Sequence, residues 1–407
     1  MIIYQCKKPK LIIILCLLVF VGLSICIYID YILPEFYQYH LVRSYANNNN
    51  NNNNNADGSI QTRTPIILLW NDFFGDSRWS LRKDDLIPSH LRNQLKCPVY
   101  ECMITNRREY LPALELYDAV VFHVAQPRSI IKSVPSRRSS KQLYIFALME
   151  PPAETKHILR NENGFYNLTM TYRLDSDILW PYKWIMDKET EMRVAPAEFP
   201  QWRKQFVHEN DDDFLKRLWP QKVKFSAWFV SHCKTLSERE ELIKQLQQYI
   251  DIDIYGKCGN YSCPRSSTDC NRLLDEKYKF YFSFENSVCV DYVTEKLYNI
   301  MEYNVIPVVY GGANYTRFAP PHSYINAEDF ENPKALADYL LYLSQKPDAY
   351  MRYFWWRHYY KLINYSPFCD ICKKLHEPNY HLKTQIYENI EKWWLGNMCR
   401  FKMRIKF

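Results

Sequence analysis

Two α/β layer domains, each built on a largely parallel sheet, are predicted by three stretches of this 407-residue chain. The clearest is Phe280 to Gly312. Phe280 to Phe284 is an aromatic run of buried-strand length that stops at Glu285 and Asn286, so polar groups are delivered at a strand's carboxyl end. Leu297, Ile300 and Met301 then share one helical face behind a cap at Asp291 or Thr294, with Glu295 and Lys296 in the first turn. Val305 to Tyr310 is a second strand closing on Gly311 and Gly312. Strand, helix and strand at this spacing form a parallel crossover, and ligands bind such sheets beyond the carboxyl ends of the strands. The second stretch is a series of short apolar segments, Ile66 to Trp70, Pro98 to Ile104, Asp118 to Val124 and Gln142 to Met149, with room for helices in Asp84 to Lys96 and Gln126 to Lys141. The third is Glu191 to Trp219, charged and punctuated by Pro196 and Pro200, which reads as a change of unit. The expected layout is 65–200 for the first domain, 201–222 for a linker, 223–390 for the second domain and 391–407 for a C-terminal segment.

Ahead of these lies an address. Lys7, Lys8 and Lys10 precede Leu11 to Ile29, an uncharged stretch of about 19 residues, long enough to cross a bilayer as a helix. A cleaved signal peptide would have a shorter apolar core and an A-x-A-like site, whereas Tyr28, Asp30 and Tyr31 follow here. Residues 11–30 are therefore expected to be a retained signal-anchor, with 1–10 cytosolic and the rest lumenal. Residues 31–64 read as a stem, centred on the Asn47 to Asn55 tract, which has nothing to bury. Of the 13 cysteines, Cys6, Cys16 and Cys26 lie in or beside the span, and the others fall where disulfides are permitted. Asn-x-Ser/Thr acceptors at Asn167, Asn260, Asn314 and Asn364 are candidate glycosylation sites on the same side. The net charge of +7 is spread without a basic run, which argues against nucleic acid as a partner.

Candidate chemistry follows the strand ends. Gln142 to Met149 runs into Glu150, Pro151 and Pro152, so Glu150 projects from the carboxyl edge of the first sheet. Asp175-x-Asp177 has the form of a divalent-cation pair and equally that of a polar turn, which is the commoner occurrence; Asp211 to Asp213 and Asp251-x-Asp253 are of the same kind. Lys224 to Val230 is a strand ending at Ser231, His232 and Cys233. Ser237 and Glu240 form a capping-box pattern that places Arg239 in a helix's first turn, where anions are favoured. Ile250 to Gly256 is the next strand. Cys369-x-x-Cys372 with His376 and His381 suits a zinc site or a disulfide, and Cys97 with Cys102 and Cys258 with Cys263 are local pairing candidates.

FENS at Phe284 to Ser287, DYVTEKL at Asp291 to Leu297, and NYTRFAPPHSYI from Asn314, with AWFVSHC, MTYRLDSDI and IDIDIYG, closely resemble the motifs of the α1,3-fucosyltransferases. The resemblance implies a GT-B-like fold, two Rossmann-like domains facing across a cleft, and a Golgi enzyme moving fucose from GDP-fucose, with inversion, to the 3-hydroxyl of GlcNAc. The acceptor would be the N-glycan core or a terminal N-acetyllactosamine. It implies Glu150 as the base, Arg239 and Lys296 as partners of the donor diphosphate, and Asn286, Tyr292 and Glu295 as lining of the nucleotide-sugar pocket. It implies no required cofactor, with a divalent metal at most stimulatory and not a bound catalytic ion, and a C-x-x-C bridge, here Cys369 with Cys372. Two alternatives stand beside it: a metal-dependent transferase using Asp175 and Asp177, and a non-catalytic lumenal carbohydrate-binding protein.

Overall fold

The computed structural model describes residues 63–125, 138–155, 162–204, 213–264, 268–378, 380 and 385–400. The anchor, nearly all of the stem and Asp211 and Asp212 lie outside the described residues, among which no helix is long and apolar enough to cross a membrane.

Two parallel sheets dominate. The first has strands β1 (Ile66–Leu69), β2 (Asp85–Leu86), β3 (Met103–Thr105), β4 (Ala119–His123), β5 (Leu143–Leu148), β6 (Leu168–Thr171) and β7 (Ile178–Leu179), in the order β2-β3-β1-β4-β5-β6-β7. Only β2 is antiparallel to its neighbour. After β8 (Trp184–Asp187) and β9 (Arg193–Ala195), the second sheet contains β10 (Lys224–Phe229), β11 (Ile252–Tyr255), β12 (Tyr278–Phe284), β14 (Ile306–Tyr310) and β15 (Ile325–Asn326), ordered β11-β10-β12-β14-β15 and parallel throughout. The mixed α/β class read from the sequence is therefore observed. In each sheet the strand order reverses once, between β1 and β4 and between β10 and β12, and the crevice at such a reversal is where open α/β sheets take ligands.

Strands covered on both faces read as unbroken apolar runs, as IILL, AVVFH and LYIFAL do here. Alternate residues feed two cores: Ile66, Leu68 and Phe146 on one face, Ile67, Leu69 and Ile145 on the other. What covers those faces comes from the far end of the chain. The helix Pro367–Leu375 packs Phe368, Ile371 and Leu375 on the second face. The helix Ile390–Leu395 lays Ile390 and Trp394 on the first, with Trp394 Nε1 donating to Thr155 Oγ1 at 2.9 Å. Residues that the sequence layout gave to the second domain and to the C-terminal segment thus complete the core of the first. The crossing is reinforced by β16 (Tyr360–Ile363), which pairs with β8, and by β17 (Cys399–Arg400), which pairs with β13 (Val288–Cys289).

The disulfides correct the local pairings. Cys97 joins Cys369 and Cys102 joins Cys372, so Cys369 and Cys372 are not bonded to each other, nor Cys97 to Cys102. Pro367 starts a helix in which positions three apart share a face, and the two sulfurs are presented side by side to the 97–102 loop. Cys258 pairs with Cys233 rather than Cys263, and Cys263 pairs with Cys270. Cys289 and Cys399 close the last bridge. His376 lies beside the Cys102–Cys372 sulfurs, its Nδ1 2.9 Å from the Cys372 carbonyl, but both cysteines are oxidised and offer no thiolate to zinc. His381 is outside the described residues.

Candidate active site

A cleft of about 700 Å³ opens at the reversal point of the second sheet, beyond β10, β11 and β12. Ser231, His232, Arg239, Asn286, Glu295 and Lys296 are among its lining residues, with Tyr255 and Tyr281. Four residues singled out from the sequence therefore meet there.

Arg239 is the first residue of the helix Arg239–Leu246 and is only 4% exposed. Its guanidinium donates to the Phe284 carbonyl at 2.7 Å and the His232 carbonyl at 3.2 Å, and it faces Glu240 at 3.4 Å. A guanidinium has five N–H donors, so some remain for an anion in the cleft. The expected capping box does not form. Glu238 occupies the cap in the left-handed conformation at φ +55°, while the Ser237 hydroxyl donates to the Glu285 carbonyl at 2.7 Å. That diversion fixes the helix start against the end of β12. Asn286 Oδ1 is buried without a partner among the described residues, an acceptor available to a ligand donor.

Lys296 is set by three oxygens. Its Nζ lies 3.2 Å from Glu285 Oε2, 3.2 Å from Glu295 Oε1 and 3.0 Å from Thr294 Oγ1, and Thr294 is the N-cap of the helix Glu295–Met301. Burial opposes the charge, but Glu285 and Glu295 outweigh it and hold the ammonium above the usual lysine range. Glu285 is 1% exposed and accepts from Thr294 N and Oγ1, each at 2.9 Å. Burial pushes its carboxyl above the ordinary range, against the pull of Lys296. The sequence reading marked Glu285 only as the end of a strand. Its signal was a carboxylate ending a buried aromatic run, which must find a cation or a capped helix nearby.

Glu150 stands on the other sheet, just past β5, and is half-buried. Burial raises its carboxyl above the ordinary range, Lys296 pulls it back, and Glu295, Glu154 and Glu285 raise it. Met149, Tyr172 and Tyr292 share one buried cluster, so the segment carrying Glu150 meets the chain just ahead of Lys296. Tyr292 is 3% exposed, outside the lining of the cleft, with its ring 5.0 Å from that of Tyr172. Tyr182 donates to the Met149 carbonyl at 3.0 Å, next to Glu150. Burial raises the hydroxyls of Tyr172, Tyr182 and Tyr292, and the charges of Glu150 and Glu285 raise them further, so the three phenols stay neutral.

The aspartate pair is engaged elsewhere. Asp175 grips the guanidinium of Arg173, whose Nε lies 2.8 Å away and which donates in turn to the Trp393 carbonyl. Asp177 accepts from Thr169 N and Oγ1 at 2.9 Å, Tyr387 at 2.8 Å and Gln385 at 2.9 Å. Both carboxylates thus tie the β6–β7 turn to the C-terminal segment. Among the glycosylation candidates, Asn260, Asn314 and Asn364 are exposed. Asn167 is 5% exposed, accepting from Tyr144 N at 2.8 Å and donating to the Gln385 carbonyl at 3.2 Å, which leaves no room for a glycan in the folded chain.

A family model described as "Glycosyltransferase family 10 (fucosyltransferase) C-term" matches residues 219–393, and "Fucosyltransferase, N-terminal" matches 62–183. Alpha-(1,3)-fucosyltransferase C of Drosophila melanogaster is 54% identical over 345 residues, covering 85% of this chain and 80% of that one. Glycoprotein 3-alpha-L-fucosyltransferase A of the same organism is 33% identical over 346 residues, 84% of this chain and 61% of that one. A solved alpha1,3-fucosyltransferase with GDP-fucose aligns at 16% identity and a TM-score of 0.47, covering 82% of this chain and 95% of that one. With both family models spanning the two sheets and a relative more than half identical over most of its length, the chain belongs to the glycosyltransferase family 10 fucosyltransferases.

Proposed function

We propose that this enzyme is an α1,3-fucosyltransferase that moves L-fucose from GDP-fucose, with inversion, to the 3-hydroxyl of a GlcNAc residue of a glycan, in a GT-B arrangement of its two α/β units. The observation that carries the reading is the opposition of Glu150, at the carboxyl edge of one sheet, to Lys296 and the Arg239-lined cleft at the carboxyl edge of the other. Glu150 takes the proton of the acceptor hydroxyl as that oxygen bonds to fucose C1. The bond from C1 to the β-phosphate oxygen breaks on the opposite face, and GDP departs with the electron pair. Arg239 and Lys296 counter the charge that develops on the diphosphate, and the buried Asn286 Oδ1 and the Glu295 carboxylate accept from ligand hydroxyls. No bound metal takes part in this scheme, and Asp175 and Asp177 are engaged by Arg173, Thr169, Gln385 and Tyr387. The chain acts in the Golgi lumen behind its anchor at 11–30.

The test is transfer by the lumenal part, from residue 65 onward, with N-glycan core and N-acetyllactosamine acceptors, locating the new fucose by mass spectrometry and repeating the assay in EDTA. Fucose on the 3-hydroxyl of GlcNAc, unaffected by EDTA, is the expected result. Transfer that depends on a divalent ion, or none to either acceptor, would contradict it.

A further inference from the structure

Given the transfer proposed above, on which this rests, the acceptor needs a surface near Glu150. The chain leaving β1 builds one. Phe73 and Asp76 exchange both backbone hydrogen bonds at 3.0 Å, and the two residues between them, Phe74 and Gly75, have φ of +50° and +88°. Positive φ at both central positions is the type I′ pattern, which favours Asn-Gly. A phenylalanine is strained there, and the residue stays 53% exposed although its ring touches Phe73 and His123.

The turn is held rigidly. Asn71 Nδ2 donates to the His123 carbonyl at 2.8 Å while its Oδ1 accepts from His123 N at 3.0 Å. Trp79 Nε1 donates to the Asn71 carbonyl at 2.7 Å, and His123 Nδ1 to that of Asp72 at 3.0 Å. Aromatic rings support it from below. Phe74 meets His123 edge to face at 4.6 Å and Phe73 at 4.8 Å, Phe73 lies 5.2 Å from Trp180, and Trp79 stacks on Trp180 at 6.0 Å.

Its place matches the chemistry. β1 and β4 flank the reversal point of the first sheet, where a ligand crevice belongs. His123 of β4 pairs with Ala147 of β5, and Glu150 follows three residues later, about 10 Å of extended chain. The hydrogen bond from Tyr182 to the Met149 carbonyl brings the segment after Trp180 to the same spot.

We propose that Phe74, standing on the Phe73–Trp180 cluster, is a stacking subsite for the apolar face of a pyranose of the acceptor glycan, neighbouring the sugar whose hydroxyl Glu150 activates. A ring held out on a strained turn at the acceptor edge is then a specificity device rather than a packing residue.

Phe74→Asn separates these roles, because asparagine suits the turn. The variant should melt at or above the parental temperature and bind GDP as the parent does, while its KM for the glycan rises about 10-fold, the scale of one lost aromatic stacking contact. Phe74→Tyr should keep the parental KM. An unchanged glycan KM in Phe74→Asn, or a loss of stability and GDP affinity together, would overturn the subsite. Failure of the parent to fucosylate any glycan would show before a variant is made and would count against the transfer reading instead.

Discussion

Lys296→Ala tests the junction between stability and chemistry. The substitution removes the cation 3.2 Å from Glu285 Oε2 and leaves a carboxylate that is 1% exposed, with the Thr294 amide and hydroxyl as its remaining partners among the described residues. At 3.2 Å and an effective dielectric of about 20, the pair is worth roughly 5 kcal/mol before desolvation, and breaking a buried pair from one side costs about 3 kcal/mol of stability. In the proposed scheme the same ammonium counters the charge on the leaving diphosphate, so turnover should fall about 100-fold. Lys296 also lowers the Glu150 carboxyl. If Glu150 is the base, the acid limb of the pH–rate profile follows its carboxyl, which burial raises, and should move to higher pH in the variant. Denaturant titration and stopped-time transfer assays as a function of pH read both effects. Lys296→Ala with Glu285→Gln should recover most of the stability and none of the rate. Recovery of the rate in that double variant, or parental turnover in Lys296→Ala, would remove Lys296 from the chemistry.

Two further outcomes follow from the fold. A non-reducing peptide map should show Cys97 with Cys369 and Cys102 with Cys372. Removing either bridge should cost little, since its neighbour still closes the loop, whereas removing both releases a closure of 272 residues and should cost on the order of 5 kcal/mol; a large cost for one bridge alone would contradict that redundancy. Glycopeptide analysis should find Asn167 unmodified, with any glycans at Asn260, Asn314 and Asn364, and a glycan on Asn167 of active enzyme would refute the packing around it.

What the sequence disclosed was local. The aromatic run into Glu285 and Asn286, a cap at Asp291 or Thr294, of which the structure uses Thr294, and the placing of Lys296 in a first turn are all determined within about four residues, and β12, its helix and β14 lie where the pattern puts them. The site residues gathered in the cleft follow, because each was read at a strand end or helix start. What stayed hidden was pairing at long range. Nothing near Cys369 says that a helix will carry its sulfur to Cys97, and nothing near Asp175 says that Arg173 reaches Trp393, 220 residues away. The Ser237 and Glu240 pattern failed for the same reason: the Glu285 carbonyl, 48 residues on, competes for the serine hydroxyl. The return of the C-terminal helices to the first sheet is a consequence of its parallel strands needing both faces covered, a demand that names no donor in the sequence.

The central claim is that Glu150 takes the acceptor proton across the cleft from a donor held by the other sheet. Glu150→Gln keeps the size and loses the basicity, so calorimetry with GDP beside a transfer assay on the same preparation tests it most directly. GDP affinity close to parental with transfer slowed at least ~100-fold is the predicted result. Parental transfer by Glu150→Gln, or loss of GDP binding in step with turnover, would contradict it.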